Sequence, residues 1–528
     1  MNFANYSRLN ALKYSDKICL IERYPDKNRR RTLTWKEFND GINKVGNFLK
    51  KQLGIKKGDR VLHLLNNSLE WLICYFGIIK IGGVVVPLNF RFISEDIKYA
   101  GETSMPVAFI LGSPFLESVG SIRQDLVTVK NHIVVGEKCP SDMIPYDEIE
   151  GSNDTEEAMI EMADEDDLAL MFTSGTTGNA KPVIHTHGSL NATAIGNGMS
   201  MPLDIKDNYM MVHPLYHSGS MFLWFPYYAI GAAGTLILEC RNPKWILETV
   251  DEEKGTGILV VVPVCVDLIN QIYNKEIVLS DYNLSSWQYL STGAQPVPHH
   301  IFESLIDLLP CKIIHTYGVT EGGGGVTWAI HHDDILRKPG SIGKPNFCVE
   351  GKIVDDNGDD VLPCGVGELI IKSPRLMKGY YQNPEMTAQS IKKGFFYTGD
   401  LARMDDEGYY YIVDRKKDLI TCGGENIYPV EIEEVLHSHP YIDDAAVIGY
   451  PDDRLVEVVM AVVETKKGMS LTETEVIDFC KSKLARYKVP RKVVFQQVPR
   501  NPTGKVLKRV LREIYTSSEM ISSNEHTS

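Results

Sequence analysis

The chain has 528 residues, of which 43% are apolar and 23% charged, with a net charge of −14 and a pI of about 5.5. That length exceeds a single core and implies two or more domains, and the composition is that of a globular rather than a disordered chain. The acidic balance shows no basic face of the kind that holds nucleic acid, although local cations can still receive small anions. Ten cysteines without a CxxC pair speak against a zinc or redox site, and a disulfide framework is out of place at this length.

The opening MNFANYSRLNALKYSDK has no apolar run of the signal-peptide kind, so a cytoplasmic location is expected. Within LTWKEFNDGINKVGNFLKKQLG, Trp35, Phe38, Ile42, Val45 and Leu49 recur at helical spacing and Gly54 ends the run. DRVLHLL predicts a strand, EWLICYFGIIKIGG a helix, and VVVPLN a strand closed by Pro87. AFILG, LALMF, GTLILE, GILVVVP and CKIIHTYG predict further strands with helices between several of them. Such alternation implies parallel sheets covered on both faces. No Asp, Glu, Lys or Arg occurs from Asn208 to Leu238, and MFLWFPYYAIGAAGTLIL is long enough for a membrane span. Pro226, Gly231 and Gly234 favour instead a buried helix and strand beside a ligand pocket.

After about residue 330 short strands and frequent glycines suggest a small β-barrel or sandwich. From DRKKDLI onward, PVEIEEVLHSHP, DDAAVIGYPD, VVMAVVE and LTETEVIDFCKSKLA alternate again. They predict a separate α+β domain. The expected plan is α/β: residues 1–414 as a large domain of two parallel-rich sheets with helices, its barrel-like part at about 331–414. A hinge follows at 415–417, then a mobile C-terminal α+β lid at 418–515 and a disordered tail from 516.

The stretch MFTSGTTGNAKPVIHTHGS sets Thr173, Ser174, Thr176 and Thr177 around Gly175 and Gly178 and then places Lys181, directly after an apolar run. Backbone N–H groups and hydroxyls on such a loop can cradle a phosphate, with the lysine meeting its outer charge. The spacing is not that of the Walker loop. The plain alternative is a turn joining two sheet elements.

TSGTTGNAK resembles the phosphate loop of the adenylate-forming enzymes, the superfamily of acyl-CoA synthetases, luciferases and peptide-synthetase adenylation domains. PLNFRFISEDI at 87–97, YGVTE at 317–321, YTGDL at 397–401, DRKKDLI at 414–420 and NPTGKVLKR at 501–509 follow in the same order, so the resemblance spans nearly the whole chain. One departure is Ala180 and Pro182 around Lys181, where the family usually has Pro before and Gly after. The resemblance implies ATP, Mg²⁺ and coenzyme A as partners, with a carboxylic acid as substrate; a homodimer stays open. It makes Lys505 the cation that reaches the carboxylate and α-phosphate, Thr320 a hydroxyl on that phosphate, and Glu321 the Mg²⁺ ligand. It sets Tyr317 against adenine with Gly293, Ala294 and Gln295 as the other wall, and Asp400 and Arg415 on the ribose. Lys417 becomes the hinge, and Gly423 and Gly424 line the coenzyme A arm.

His217 resembles a residue at the mouth of the acyl pocket, which would also take in Gly318, and Gly322 to Gly325, with Gly323 and Gly324 at their centre, would form a side-chain-free wall that admits a ring or a medium alkyl chain. The region 208–238 lacks an acid to meet an ammonium, which disfavours amino acids, and Phe222, Trp224 and Phe225 suit an apolar substrate unless they are core. The expected reaction is AMP-forming acyl-CoA ligation of a cyclic or medium-chain acid. A long-chain acid, another acyl acceptor such as a carrier protein, and a non-catalytic nucleotide binder are the alternatives.

Overall fold

The computed structural model describes residues 1–158, 160–173, 180–239, 242–324, 328–422, 425–452, 454–500 and 506–516. Two large sheets dominate. One has nine strands in the order 344–345, 328–331, 312–317, 289–293, 257–261, 208–211, 233–237, 18–24 and 29–34. Its middle is parallel and its outer strands antiparallel. The other has eight strands in the order 379–380, 181–186, 167–173, 84–87, 60–64, 108–112, 131–135 and 144–145. The chain lays down two strands of the first sheet, builds most of the second, and returns at Asn208. The expected parallel-rich α/β plan is thus present, but the sheets interleave in sequence.

The local reasons are simple. Helix Trp35–Asn47 begins at a capping box formed by Thr34 and Glu37, which satisfies two backbone N–H groups at the helix start. It runs on through a π-helical turn, Phe48–Gln52, and all five residues at helical spacing are buried. Helix Leu69–Lys80 is apolar around nearly its whole circumference, and it is correspondingly buried on all sides. The largest apolar cluster takes Leu20 and Tyr209 from one sheet and Val61 and Val85 from the other, with Phe3, Trp35, Phe38, Phe76, Trp224 and Tyr228 among them.

Residues 218–237 form a buried helix, Ser218–Ile230, with Pro226 inside it, followed by strand Ala233–Ile237. Gly231 ends the helix in a left-handed conformation at φ 88°. Among the described residues no helix is long and apolar enough to cross a membrane. One expected strand is shorter than its apolar run: Gly257–Val261 stops where Val262 and Pro263 open helix Val262–Tyr273, because proline suits the first helical turn.

The glycine-rich region after 331 forms a five-stranded antiparallel sheet from Glu350–Val354, Gly367–Lys372, Ile391–Lys392, Phe395–Met404 and Tyr410–Arg415. It is not self-contained. Gly379–Tyr380 leaves it to edge the eight-stranded sheet, and Lys344–Pro345 edges the nine-stranded one. A last five-stranded sheet draws only on residues 420–495, with helices Pro429–His437, Glu473–Lys481 and Lys508–Thr516.

Candidate active site

Strands Tyr289–Gly293 and Lys312–Tyr317 run parallel and pair Gly293 with Thr316. Their carboxyl ends open side by side, where ligands of parallel sheets bind. A Cβ on Gly293 would stand 2.0 Å from the Thr316 carbonyl oxygen, so only glycine fits there. Ala294 follows with φ +66°, a conformation that strains any residue with a Cβ, and the turn then delivers Gln295.

Tyr317 ends the neighbouring strand. Its ring meets Trp328 edge to face at 5.9 Å, and its hydroxyl donates to Asp400 Oδ2 at 2.5 Å. Asp400 is only 2% exposed, and its other oxygen lies 2.5 Å from Arg415 Nε. Burial and the Asp400 carboxylate push the Tyr317 hydroxyl well above its ordinary pKa. For Arg415 burial works the other way, but Asp400, Tyr317, Asp418 and Glu321 together outweigh it and keep the guanidinium ionised. Four expected nucleotide residues, Gly293, Tyr317, Asp400 and Arg415, therefore converge through strand pairing, a hydrogen bond and an ion pair. Ala294 and Gln295 adjoin them.

After Tyr317 and Gly318 the chain makes a short turn of helix, Thr320–Gly322, ended by Gly323 at φ 89°. The Thr320 hydroxyl is 3.1 Å from Ser218 Oγ. Its carbonyl oxygen is 2.9 Å from Nε2 of buried His185, which must donate there. Burial lowers His185 to about 4, so the ring is neutral and its Nδ1 is left to accept from Ser189 Oγ at 3.3 Å. Glu321 receives a hydrogen bond on Oε1 from the Tyr380 hydroxyl at 3.1 Å.

Tyr380 also lies under Lys181, whose Nζ is 5.5 Å from the ring centroid. It gets there because Gly379–Tyr380 pairs with Lys181–Thr186 as an edge strand. Thr173 and Lys181 are opposite partners in the antiparallel pair 167–173 and 181–186, so they are the two feet of the hydroxyl-rich loop. The segment between them is thus anchored at both ends by strand pairing. Pro182 is tolerated because its carbonyl, not an N–H, makes the next edge bond, to Tyr381 N at 2.9 Å. Ser174, Gly175, Thr176, Thr177, Gly178, Gly325, Gly423, Gly424 and Lys505 lie outside the described residues.

The acyl-pocket expectation changes most. His217 caps helix Ser218–Ile230, its Nδ1 accepting from Gly219 N at 3.1 Å. Added Cβ atoms on Gly323 and Gly324 would not enter an opening. They would meet Arg375 Cβ at 2.6 Å and Phe222 Cδ2 at 2.5 Å respectively. These glycines permit close packing of the turn onto its neighbours, so they do not create space for a ring. Trp224 and Phe225 are core, packed on Phe76 and Phe3, and Phe222 alone of the three aromatics backs the glycine turn. Arg375 is wholly buried behind that turn, bonded to Asn197 Oδ1 at 3.0 Å and the Phe347 carbonyl oxygen at 2.7 Å. Burial lowers it to about 10.

Lys417 sits in the turn that follows strand Tyr410–Arg415, where Asp418 N bonds Arg415 O at 2.9 Å. Loss of surrounding water, and then the cations Arg415, Arg512 and Lys181, lower Lys417 to about 8 against the pull of Asp418. Beneath the turn, Asp414 accepts from Arg415 N at 2.6 Å and Val430 N at 3.0 Å. The last helix reaches this cluster through Lys508, 2.8 Å from Glu433, and Arg512, 2.7 Å from Asp418.

Residues 8–381 match the family model for AMP-binding enzymes, and residues 431–505 match that for the AMP-binding enzyme C-terminal domain. The chain belongs to this family, the adenylate-forming superfamily. The long-chain-fatty-acid–CoA ligase FadD13 of Mycobacterium tuberculosis is 32% identical over 511 residues, covering 94% of this chain and 96% of its own. The anthranilate–CoA ligase AuaEII, solved with anthranoyl-AMP, superposes with a TM-score of 0.86 at 27% identity, covering 98% of this chain and 97% of its own. The O-succinylbenzoate–CoA synthetase of Bacillus subtilis, solved with ATP and a magnesium ion, gives 0.83 at 27%, covering 96% and 99%.

Sequence reasoning missed Tyr380, His185 and Arg375. None carries a motif of its own, and their roles come from strand pairing and burial. Tyr380→Phe is expected to slow adenylate formation about tenfold and raise its Mg²⁺ requirement, since one bond to a charged oxygen is lost. Tyr380→Leu, which also removes the ring beneath Lys181, is expected to be slower still. A Mg²⁺ titration of pyrophosphate release checks both, and an unchanged titration for Tyr380→Phe refutes the role.

Burial raises Asp414 to about 6 despite Lys508 and two N–H donors. Because its folded pKa exceeds the ordinary value, ionisation opposes folding. Its cost is nil below about pH 4 and grows to about 3 kcal/mol as pH rises through 6. Thermal unfolding of Asp414→Asn from pH 4 to 7 is expected to lose that part of the decline; parallel curves for variant and wild type refute it.

Proposed function

We propose that the chain is an AMP-forming acid–CoA ligase working in two half-reactions in one cleft. The carrying observation is the convergence of Tyr317, Asp400, Arg415, Thr320 and Glu321 at the carboxyl ends of two parallel strands, with Lys181 joined to Glu321 through Tyr380. In the first step a carboxylate oxygen attacks the α-phosphorus of ATP, the bond to the β-phosphate oxygen breaks, and pyrophosphate leaves. In the second the coenzyme A thiol attacks the acyl carbonyl, its proton passes to solvent, and AMP leaves.

Two anions must meet in the first step, so positioning and cationic charge supply most of the catalysis. Asp400 would accept from the ribose hydroxyls while Tyr317 and Arg415 hold it in place. Thr320, steadied by His185 and Ser218, would offer its hydroxyl to the α-phosphate. Thr173 and Lys181 frame the loop whose residues Ser174–Gly178 would wrap the phosphate chain, with Lys181 on the outer charge. Glu321 fits a Mg²⁺ ligand: Tyr380 holds its Oε1, and among the described residues no group of three or more His, Cys, Asp or Glu could cage a metal alone. The ion is then to be shared with nucleotide oxygens, where it neutralises phosphate charge.

Lys505 would bring its ammonium to the attacking carboxylate and the α-phosphate. We place the lobe boundary at the turn 415–417, with residues 1–414 and 418–515 as the two lobes. Rotation there would withdraw Lys505 and present Gly423 and Gly424 to the pantetheine arm. The acid is apolar, cyclic or medium-chain, bound beside His217, Gly318 and the Gly323–Gly324 turn. Phe222 and the lack of an acid from Asn208 to Leu238 support this. A long-chain acid is the second reading, favoured by the similarity to FadD13.

A panel of carboxylic acids scored for pyrophosphate release, with and without coenzyme A, tests the proposal. CoA-dependent thioester with AMP is expected. Adenylate that transfers only to a carrier protein, or no pyrophosphate with any acid, overturns it. Lys505→Ala is expected to lower adenylation by about two orders of magnitude or more, the scale of losing one charge stabiliser. Thioester formation from supplied acyl-adenylate should suffer far less, and an equal loss in both steps would remove Lys505 from this role.

A further inference from the structure

The segment that carries Lys505 is closed at its base. Arg500 and Val506 form an antiparallel bridge, and Leu507 N donates to the Pro499 carbonyl oxygen at 2.8 Å. Residues 500 and 506 are therefore the two feet of that segment. The Arg500 guanidinium is fixed on the small lobe by a two-pronged pairing with Asp444, Nε to Oδ2 at 2.7 Å and Nη2 to Oδ1 at 2.7 Å. Burial opposes the Asp444 charge, but the hydrogen bonds from His437 and Arg500 outweigh it and hold the carboxyl at about 2. The Asp444 carboxylate thus stays ionised at any working pH.

The remaining terminal nitrogen, Nη1, points the other way and lies 3.4 Å from Oε1 of Gln295. Gln295 belongs to the turn that begins at Gly293 and passes through left-handed Ala294. One planar group thus spends two nitrogens on its own lobe and one across the cleft. A lysine, with its single nitrogen, cannot reproduce that arrangement. A long hydrogen bond from a single nitrogen forms in one orientation and is easily released.

We propose that Arg500 is a positioning residue for the first half-reaction: through Gln295 it registers the feet of the Lys505 segment on the turn beside the nucleotide. The Asp444 pairing travels with the small lobe, and the Gln295 contact exists only while that lobe is placed for adenylation. This inference rests on the role given to Lys505 above.

The test separates the half-reactions. Adenylation is read as hydroxamate formed from octanoate or benzoate, ATP and hydroxylamine, and thiolysis as octanoyl-CoA formed from supplied octanoyl-adenylate and coenzyme A. Arg500→Lys is expected to slow adenylation on the order of tenfold, the scale of a small misplacement of a catalytic group, and to leave thiolysis unchanged. Gln295→Leu is expected to slow adenylation too, and the double variant should be no slower than the slower single. Unchanged adenylation, equal loss in both half-reactions, or losses that simply multiply would each overturn the proposal. If Arg500→Lys does not fold, the same cycle is run with Asp444→Asn, which leaves the guanidinium in place but loosely held. A wild-type enzyme that makes no hydroxamate with any acid of the panel removes the ligase reading itself, a result distinct from all of these.

Discussion

The buried carboxylate of Asp400 is the point on which the cleft depends. It stands in the long strand Phe395–Met404, accepts from Tyr317 at the end of the nine-stranded sheet, and pairs with Arg415 at the entry to the 415–417 turn. Two separately built sheets, one parallel in its middle and one antiparallel, are tied at one charged group. Such a charge is tolerable in the interior only because both oxygens are partnered, and removing either partner would leave it exposed to a low dielectric. The strand register makes this possible, since Asp400 and Arg415 are direct cross-strand partners.

The same economy governs the other half of the cleft. Thr173 and Lys181 are held apart by the width of one strand pair, so the loop between them has a fixed base whatever its own conformation. Tyr380 then couples the lysine on that base to Glu321 on a different sheet. A phenol can do both because its edge and face differ in polarity: the hydroxyl donates a hydrogen bond to a carboxylate while the ring attracts an ammonium. Charges of opposite sign are thereby held near each other without pairing directly, which leaves each able to meet a ligand.

Much of this was legible in the residues. Helix Trp35–Asn47 and the π-helical turn after it announced themselves through five apolar positions, and the strands at 60–64, 84–87, 108–112 and 312–317 through short apolar runs. Gly293, Tyr317, Asp400 and Arg415 lay in motifs whose order carried the family. What was not legible is non-local. No periodicity says that the chain starts one sheet, builds another and returns, or that residues 379–380 desert the antiparallel sheet to flank Lys181. His185 and Arg375 carry no signal in isolation, because their importance arises from burial. The four glycines after Glu321 were ambiguous in kind: a missing side chain can leave a hole or admit a neighbour, and only packing decides which.

For Gly323 and Gly324 packing decides in favour of neighbours, and this changes how substrate choice could evolve. With Phe222 and the Arg375 stem pressed against the turn, the shape of that wall is inherited from residues one layer back. Enlarging either glycine collides, whereas trimming the aromatic behind it lets the backbone settle outward. Changes one layer back, at Phe222 or Arg375, would then reshape the turn while the glycines themselves stay as they are.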